Sequence, residues 1–166
     1  MLIWQHTAQL IFSAALFFCL LPLSYHDLTS RRLPNRWVAG VAALGCLRCL
    51  LAAASAGSLA PFAQATLGVV YAVGPAALIA GIYGALRRRG GLGMGDLKLL
   101  AALGLFFGPR AFWILPLASC LCVASLPVLM LWRKKKGQSS GLSATLPFGP
   151  YIALAALVAM ACSLPA

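Results

Sequence analysis

Two residues of this chain can do acid and base chemistry as a pair. Asp27 and Asp96 are its only carboxylate side chains, set against 13 Lys and Arg in a chain of formal net charge +11. Paired carboxylates suit hydrolysis, because neighbouring like charges resist simultaneous ionisation and the two acids then share one proton. One acid takes a proton from water while the other donates to the carbonyl under attack. No rival catalytic set is visible: His6 and His26 are the only histidines, and neither has a Ser or Cys nucleophile in a recognisable context. His26 adjoins Asp27 and reads as an interfacial side chain with at most a tuning role. Cys46-Leu47-Arg48-Cys49 has the CxxC spacing but no second ligand pair follows it, so neither metal nor other cofactor is expected. The six cysteines fall inside apolar runs and read as small apolar filler.

The approach to the second acid is rich in glycine: Gly90-Gly91-Leu92-Gly93-Met94-Gly95-Asp96. Missing side chains permit close backbone approach and unusual dihedrals, which a site needs if an extended substrate is to lie beside a carboxylate. A phosphate-cradling loop would end in Lys-Ser or Lys-Thr and open a soluble βαβ unit, and this segment does neither. A plain turn between two helices would also use glycine, but it leaves the lone acid unexplained.

The elements that carry these acids are apolar. Of the 166 residues, 62% are hydrophobic and only 9% charged, whereas a globular chain has about a quarter charged, so the composition is that of a protein dissolved in lipid. Break residues divide the chain into six apolar runs, over 8–25, 37–56, 62–86, 97–107, 111–132 and 145–164. The 38 residues from 49 to 86 carry no formal charge and would overshoot a bilayer as one straight helix. Ala56-Gly57-Ser58 and Pro61 supply the turn. The expected fold is all-α, a polytopic membrane protein with six transmembrane helices forming a single domain over 1–166. The first run lacks the basic flank of a signal peptide and is expected to stay as a span.

Six spans alternate sides, so the loops after the first, third and fifth share one face. They hold Arg31, Arg32, Arg36, Arg87, Arg88, Arg89, Lys98, Arg133, Lys134, Lys135 and Lys136, against Arg110 on the other face. The basic face is therefore expected to be cytoplasmic, with both termini outside and both acids at cytoplasmic ends of spans. These charges satisfy topology and touch anionic lipid, and no polar module accompanies them to bind nucleic acid. The two acids can meet across a packed bundle; the alternative is that each pairs with a nearby Arg at the interface. Arg48 interrupts the second run and is expected either to snorkel to the outer headgroups or to make a polar contact between helices. Helix dipoles give Asp27, at the negative end of the first span, the shared proton, and leave Asp96, at the positive start of the fourth, ionised.

Three segments together resemble the prepilin peptidases, membrane aspartic proteases of the GxGD type. Asp27-Leu28-Thr29-Ser30-Arg31-Arg32-Leu33-Pro34-Asn35 resembles the first-aspartate motif, Gly93-Met94-Gly95-Asp96-Leu97-Lys98 the GxGD-x-K motif, and Leu146-Pro147-Phe148-Gly149-Pro150 a Pro-Phe-Gly-Pro element at the last span. The likeness covers essentially the whole chain. It implies cleavage of the basic leader from a type IV prepilin or pseudopilin precursor at the cytoplasmic face of the bacterial inner membrane, with Asp27 and Asp96 as the catalytic pair. Gly93, Gly95, Pro34, Asn35, Pro147, Phe148 and Gly149 would bind substrate or shape the site. Lys98 would either balance local negative charge, meet an acidic substrate residue, or serve only topology. Pro34 fixes φ and Asn35 is suited to cap the second helix. The expected partners are the precursor, membrane lipid and the pilus or secretion machinery.

Many bacterial members have an added N-terminal segment with two CxxC pairs and also N-methylate the new terminus. Asp27 comes too early here for that segment, so a short-form peptidase without methyltransferase capacity is expected. An ion or proton carrier would need ionisable groups deeper in several spans, and a non-enzymatic assembly subunit would not need its only acids in two such motifs. Presenilin-like GxGD enzymes have more helices and a different C-terminal motif.

Overall fold

The computed structural model describes residues 2–30, 33–87, 93–135 and 148–162, and its regular elements are all helices. Arg31, Arg32, Arg88, Arg89, Gly90, Gly91, Lys136 and Pro147 lie outside the described residues. Helix α1 covers Leu2–Ser30, α2 Asn35–Ala56, α3 Ala60–Arg87 and α4 Met94–Phe107. A 3₁₀ turn, Gly108–Trp113, leads into α5, Ile114–Lys135, and α6 covers Gly149–Ala161.

The boundaries follow from local chemistry. Pro34 stands at the N-cap of α2 with extended ψ of 122°, because its ring fixes φ and it has no N–H to offer the preceding chain. Asn35 is thus the first helical residue and makes no cap; the N-cap position belongs to Pro34, which has no side-chain donor or acceptor. Gly57 ends α2 in the left-handed region at φ 60°, where a side chain would be strained, and Pro61 enters the first turn of α3. Gly108 ends α4 at φ 61°, its N–H donating to the Gly104 carbonyl.

Among the described residues, four stretches are long and apolar enough to cross a membrane: Gln9–Ser30, Asn35–Ala56, Ala60–Leu86 and Met94–Leu126. The last joins two runs that the sequence separates at Gly108-Pro109, because the 3₁₀ turn continues the helical path instead of ending it. Alone, the 14 residues of α4 reach only about 21 Å, short of an apolar core of about 30 Å. Gly149–Ala161 is a shorter apolar helix.

Helix α4 is the hub. It packs on α2 and α3 along its length and touches α6, while α1 packs on α2 and α6, and α5 on α6. Leu99, Leu100, Leu103 and Phe106 of α4 are buried with Leu16, Leu20 and Leu23 of α1, spaced to share one helical face. The outer faces instead present Ile11, Phe18, Leu50, Val70 and Leu78, a surface suited to lipid contact.

Small residues let the backbones meet where α2 and α3 cross α4. A Cβ on Gly104 would lie 2.7 Å from the Gly68 carbonyl oxygen and 2.7 Å from Val69 Cα, and one on Gly45 would lie 3.0 Å from the Phe106 nitrogen. Nearby, the Arg48 guanidinium donates to the Phe106 carbonyl and lies over the Phe106 ring, 5.1 Å from its centroid. Of the two expectations for Arg48, the interhelical contact is the one formed. A cavity of about 120 Å³ between α2, α3 and α4 is lined there by Arg48, Cys49, Gln64 and Phe106 among others. All six cysteines are free thiols.

Candidate active site

Asp27 lies one turn before the end of α1, which runs on to Ser30. Its side chain is 6% exposed, and Oδ2 accepts a hydrogen bond from the Gly149 N–H at 2.9 Å. Gly149 is the first residue of α6, so Asp27 faces the positive end of a helix distant in sequence as well as the negative end of its own. Buried carboxylates need such partners, since the charge has been removed from water.

Asp96 is the third residue of α4 and half-buried. Gly93 caps that helix, its carbonyl accepting from the Asp96 N–H at 3.0 Å. Carboxylate oxygen Oδ2 of Asp96 curls back to within 3.1 Å of where a Cβ on Gly93 would stand. A Cβ on Gly95 would sit 3.0 to 3.1 Å from two atoms of Leu33. Gly93 has an ordinary extended φ of −66° and Gly95 is helical, so the expected unusual dihedrals are not what these two glycines provide. They provide room, beside a carboxylate in one case and beside an apolar chain in the other.

The two acids share one cavity of about 390 Å³, lined by Asp27, Leu33, Asn35, Gly93, Met94, Gly95, Asp96 and Lys98. With liquid water filling about 30 Å³ per molecule, the space holds several waters or a short peptide segment beside one. Six residues named from the sequence, Asp27, Asn35, Gly93, Gly95, Asp96 and Lys98, thus meet at one place. Gly149 joins them through Asp27 from behind. Pro34 sets the start of α2, and Phe148 is the N-cap of α6, packed against the core. His26 is exposed, its ring set edge-on against Tyr25 at 6.1 Å, and it does not line the cavity.

Sequence reasoning missed three contributors. Leu33 and Met94 line the cavity, and both stood inside the quoted motifs as unremarked apolar residues. Tyr151 hydrogen-bonds Ser125 of α5 at 2.6 Å, which ties the first turn of α6 to its neighbour two residues beyond Gly149. Nothing in the spacing of Ser125 and Tyr151 signals that pairing.

Chemically, two carboxylates lining one water-accessible cavity can activate water and protonate a leaving group. Among the described residues no three His, Cys, Asp or Glu side chains come together.

Compared with known proteins, residues 14–128 match the type IV leader peptidase family, a stretch containing both acids. The chain belongs to that family. It is 32% identical over 160 residues to the prepilin leader peptidase/N-methyltransferase of Aeromonas salmonicida (strain A449), covering 95% of this chain and 50% of that protein. To the protein of the same name from Pseudomonas aeruginosa it is 32% identical over 157 residues, covering 95% and 50%. With leader peptidase HopD of Escherichia coli it shares 38% identity over 100 residues, 58% of this chain and 60% of that one. The chain spans about half the length of the first of these relatives. No solved structure matches it. The leader peptidase match ends before Gly149, so the residue that grips Asp27 lies outside the matched segment.

Proposed function

We propose that this chain is an aspartic endopeptidase that removes the basic leader from type IV prepilin or pseudopilin precursors. The observation that carries the proposal is that the only two acids of the chain line one cavity, in a member of the type IV leader peptidase family. Water held between Asp27 and Asp96 loses a proton to one carboxylate and attacks the scissile carbonyl. The other acid protonates the carbonyl oxygen. The gem-diol then breaks its C–N bond as the amine takes up the first proton, while one diol hydroxyl returns a proton to the second acid as the C=O re-forms. The cavity beside Asp96, with Gly93 and Gly95 in its lining, is where an extended peptide would lie, and Lys98 stands there as the one cation among the lining residues.

The charge distribution supports a multi-pass protein of the bacterial inner membrane with six spans, its cavity at the cytoplasmic face and both termini outside. In that arrangement the partners are the precursor, anionic lipid at the basic face, and pilus or secretion machinery. Hydrolysis needs water, and a cavity at the end of the bundle has it where mid-bilayer does not.

Reconstitution with prepilin-like precursors tests the reading. Wild type should cleave after the leader, while Asp27→Asn and Asp96→Asn, both folded, should each lose at least ~10²-fold in kcat, the usual contribution of acid–base catalysis. Cleavage persisting in either folded variant would sink the mechanism. A proton flux across vesicles that depends on the two acids, without cleavage, would favour a carrier instead.

A further inference from the structure

The start of α6 reaches the acid that the sequence places at the end of α1. Gly149 N–H donates to Asp27 Oδ2 at 2.9 Å inside the protein, and no side chain fits at position 149: a Cβ there would lie 2.7 Å from Oδ2, 3.0 Å from Cγ and 3.2 Å from Cβ of Asp27. The contact closes a gap of 122 positions in sequence. It is held from the far side by the Tyr151–Ser125 hydrogen bond and by Ile152, Ala153, Ala155 and Ala156 buried in the core. Helix α6 carries no charged residue of its own between 149 and 161, so its effect on Asp27 comes from the N–H and the helix end alone.

We infer that Gly149 is a positioning residue whose N–H fixes Asp27 as the ionised, water-activating member of the pair and leaves the shared proton on Asp96. A backbone donor binds a carboxylate more strongly than a carboxylic acid, so the contact favours the charged form of Asp27. It occupies Oδ2 and leaves Oδ1 to take the proton from water. Asp96 then donates its proton to the carbonyl oxygen, giving a gem-diol. Asp27 passes the proton it gained to the departing amine, and one diol hydroxyl returns a proton to Asp96 as the C=O re-forms, so the pair ends with the one proton it began with. This reverses the assignment that the dipoles of α1 and α4, each acting on its own acid, suggest. Asp96 has a backbone partner of its own, Gly93, at the start of α4. The cavity lining adds Lys98 from α4 and Asn35 from α2, while His26 of α1 and Arg36 of α2 are exposed nearby in sequence. The inference rests on the peptidase reading for its mechanism but not for its test.

Because the chain has two acids, each Asp→Asn variant keeps a single side-chain carboxyl. With aspartate labelled by ¹³C at that carboxyl, Asp96→Asn reports Asp27 alone and Asp27→Asn reports Asp96 alone. The full chain in lipid bilayers should show Asp27 ionising at lower pH than Asp96. Adding Gly149→Ala to Asp96→Asn should raise the Asp27 midpoint by about one pH unit, the size expected for losing one charged hydrogen bond. In the enzyme with both acids, Gly149→Ala should lower kcat at least tenfold at unchanged KM and move the acidic limb of the rate profile to higher pH. Equal or reversed midpoints in the two single variants would overturn the inference, and that comparison stands even if Gly149→Ala does not fold. Absence of cleavage by wild type would defeat the peptidase reading while the titrations still decide the role of Gly149.

Discussion

The two ends of α4 use the same devices for opposite purposes. At its start, Gly93 and the distant Gly149 clear space beside the two carboxylates, and Gly95 beside Leu33, around a cavity of about 390 Å³. At its end, Gly104 and Gly68 clear space so that backbone meets backbone, and the nearby ion, Arg48, is spent on a carbonyl and a ring. An ionisable group in a bundle is therefore not by itself a sign of chemistry. What separates the two ends is surroundings: Arg48 is engaged by protein on two sides, whereas both acids line a cavity that water can enter.

The sharpest way to break that comparison is to remove charge at each end. Asp27→Asn or Asp96→Asn should abolish ~10²-fold or more of cleavage and change the unfolding temperature little, because each amide is nearly isosteric with the acid. Gly104→Leu should do the reverse. The listening atoms there are backbone and cannot step aside, so ~1–3 kcal/mol of stability should be lost to overpacking, read by thermal unfolding in detergent, with activity falling only as the folded fraction falls. An unchanged unfolding temperature would mean that α3 and α4 do not cross this closely.

Arg48→Met comes next in size. It removes a charged hydrogen bond and a cation–ring contact while keeping the apolar stem, so a loss on the order of 1–2 kcal/mol of stability is expected with kcat unaltered. Cleavage dropping tenfold in a stable Arg48→Met protein would contradict the division between a structural and a chemical end.

How much of this was legible in the sequence depends on the range of the interaction. The turn at Gly57 and the start of α2 at Pro34 are local, governed by φ and by a missing N–H, and could be read from residue type, although the cap was expected at Asn35. The meeting of Asp27 with Asp96 was legible as an expectation because two acids are all the chain has. The grip of Gly149 on Asp27 was not, since a backbone N–H carries no residue signature and its reach spans 122 positions. The dipole argument failed to anticipate it for the same reason: it considered each acid on its own helix. Likewise, the joint at Gly108-Pro109 has the residues of a full stop, yet the chain continues as a 3₁₀ turn, a choice made by packing against α3.

The smallest expected effect lies at Lys98, the cavity-lining cation. It is exposed and stands two positions after Asp96, a spacing that does not place two side chains on the same helical face. Its field should favour the anionic form of the acid pair only through solvent, so Lys98→Gln should move the acidic limb of the rate profile upward by a fraction of a pH unit. Raising ionic strength should shrink that shift, because exposed charges are screened over about 10 Å at 0.1 M salt. The shift from Gly149→Ala should persist in the same buffers, because that contact is buried and dipolar. If salt instead erased the Gly149 effect and spared that of Lys98, the acids would be governed by the open side of the cavity, and the contrast between a buried positioning contact and a solvated charge would be the wrong way round.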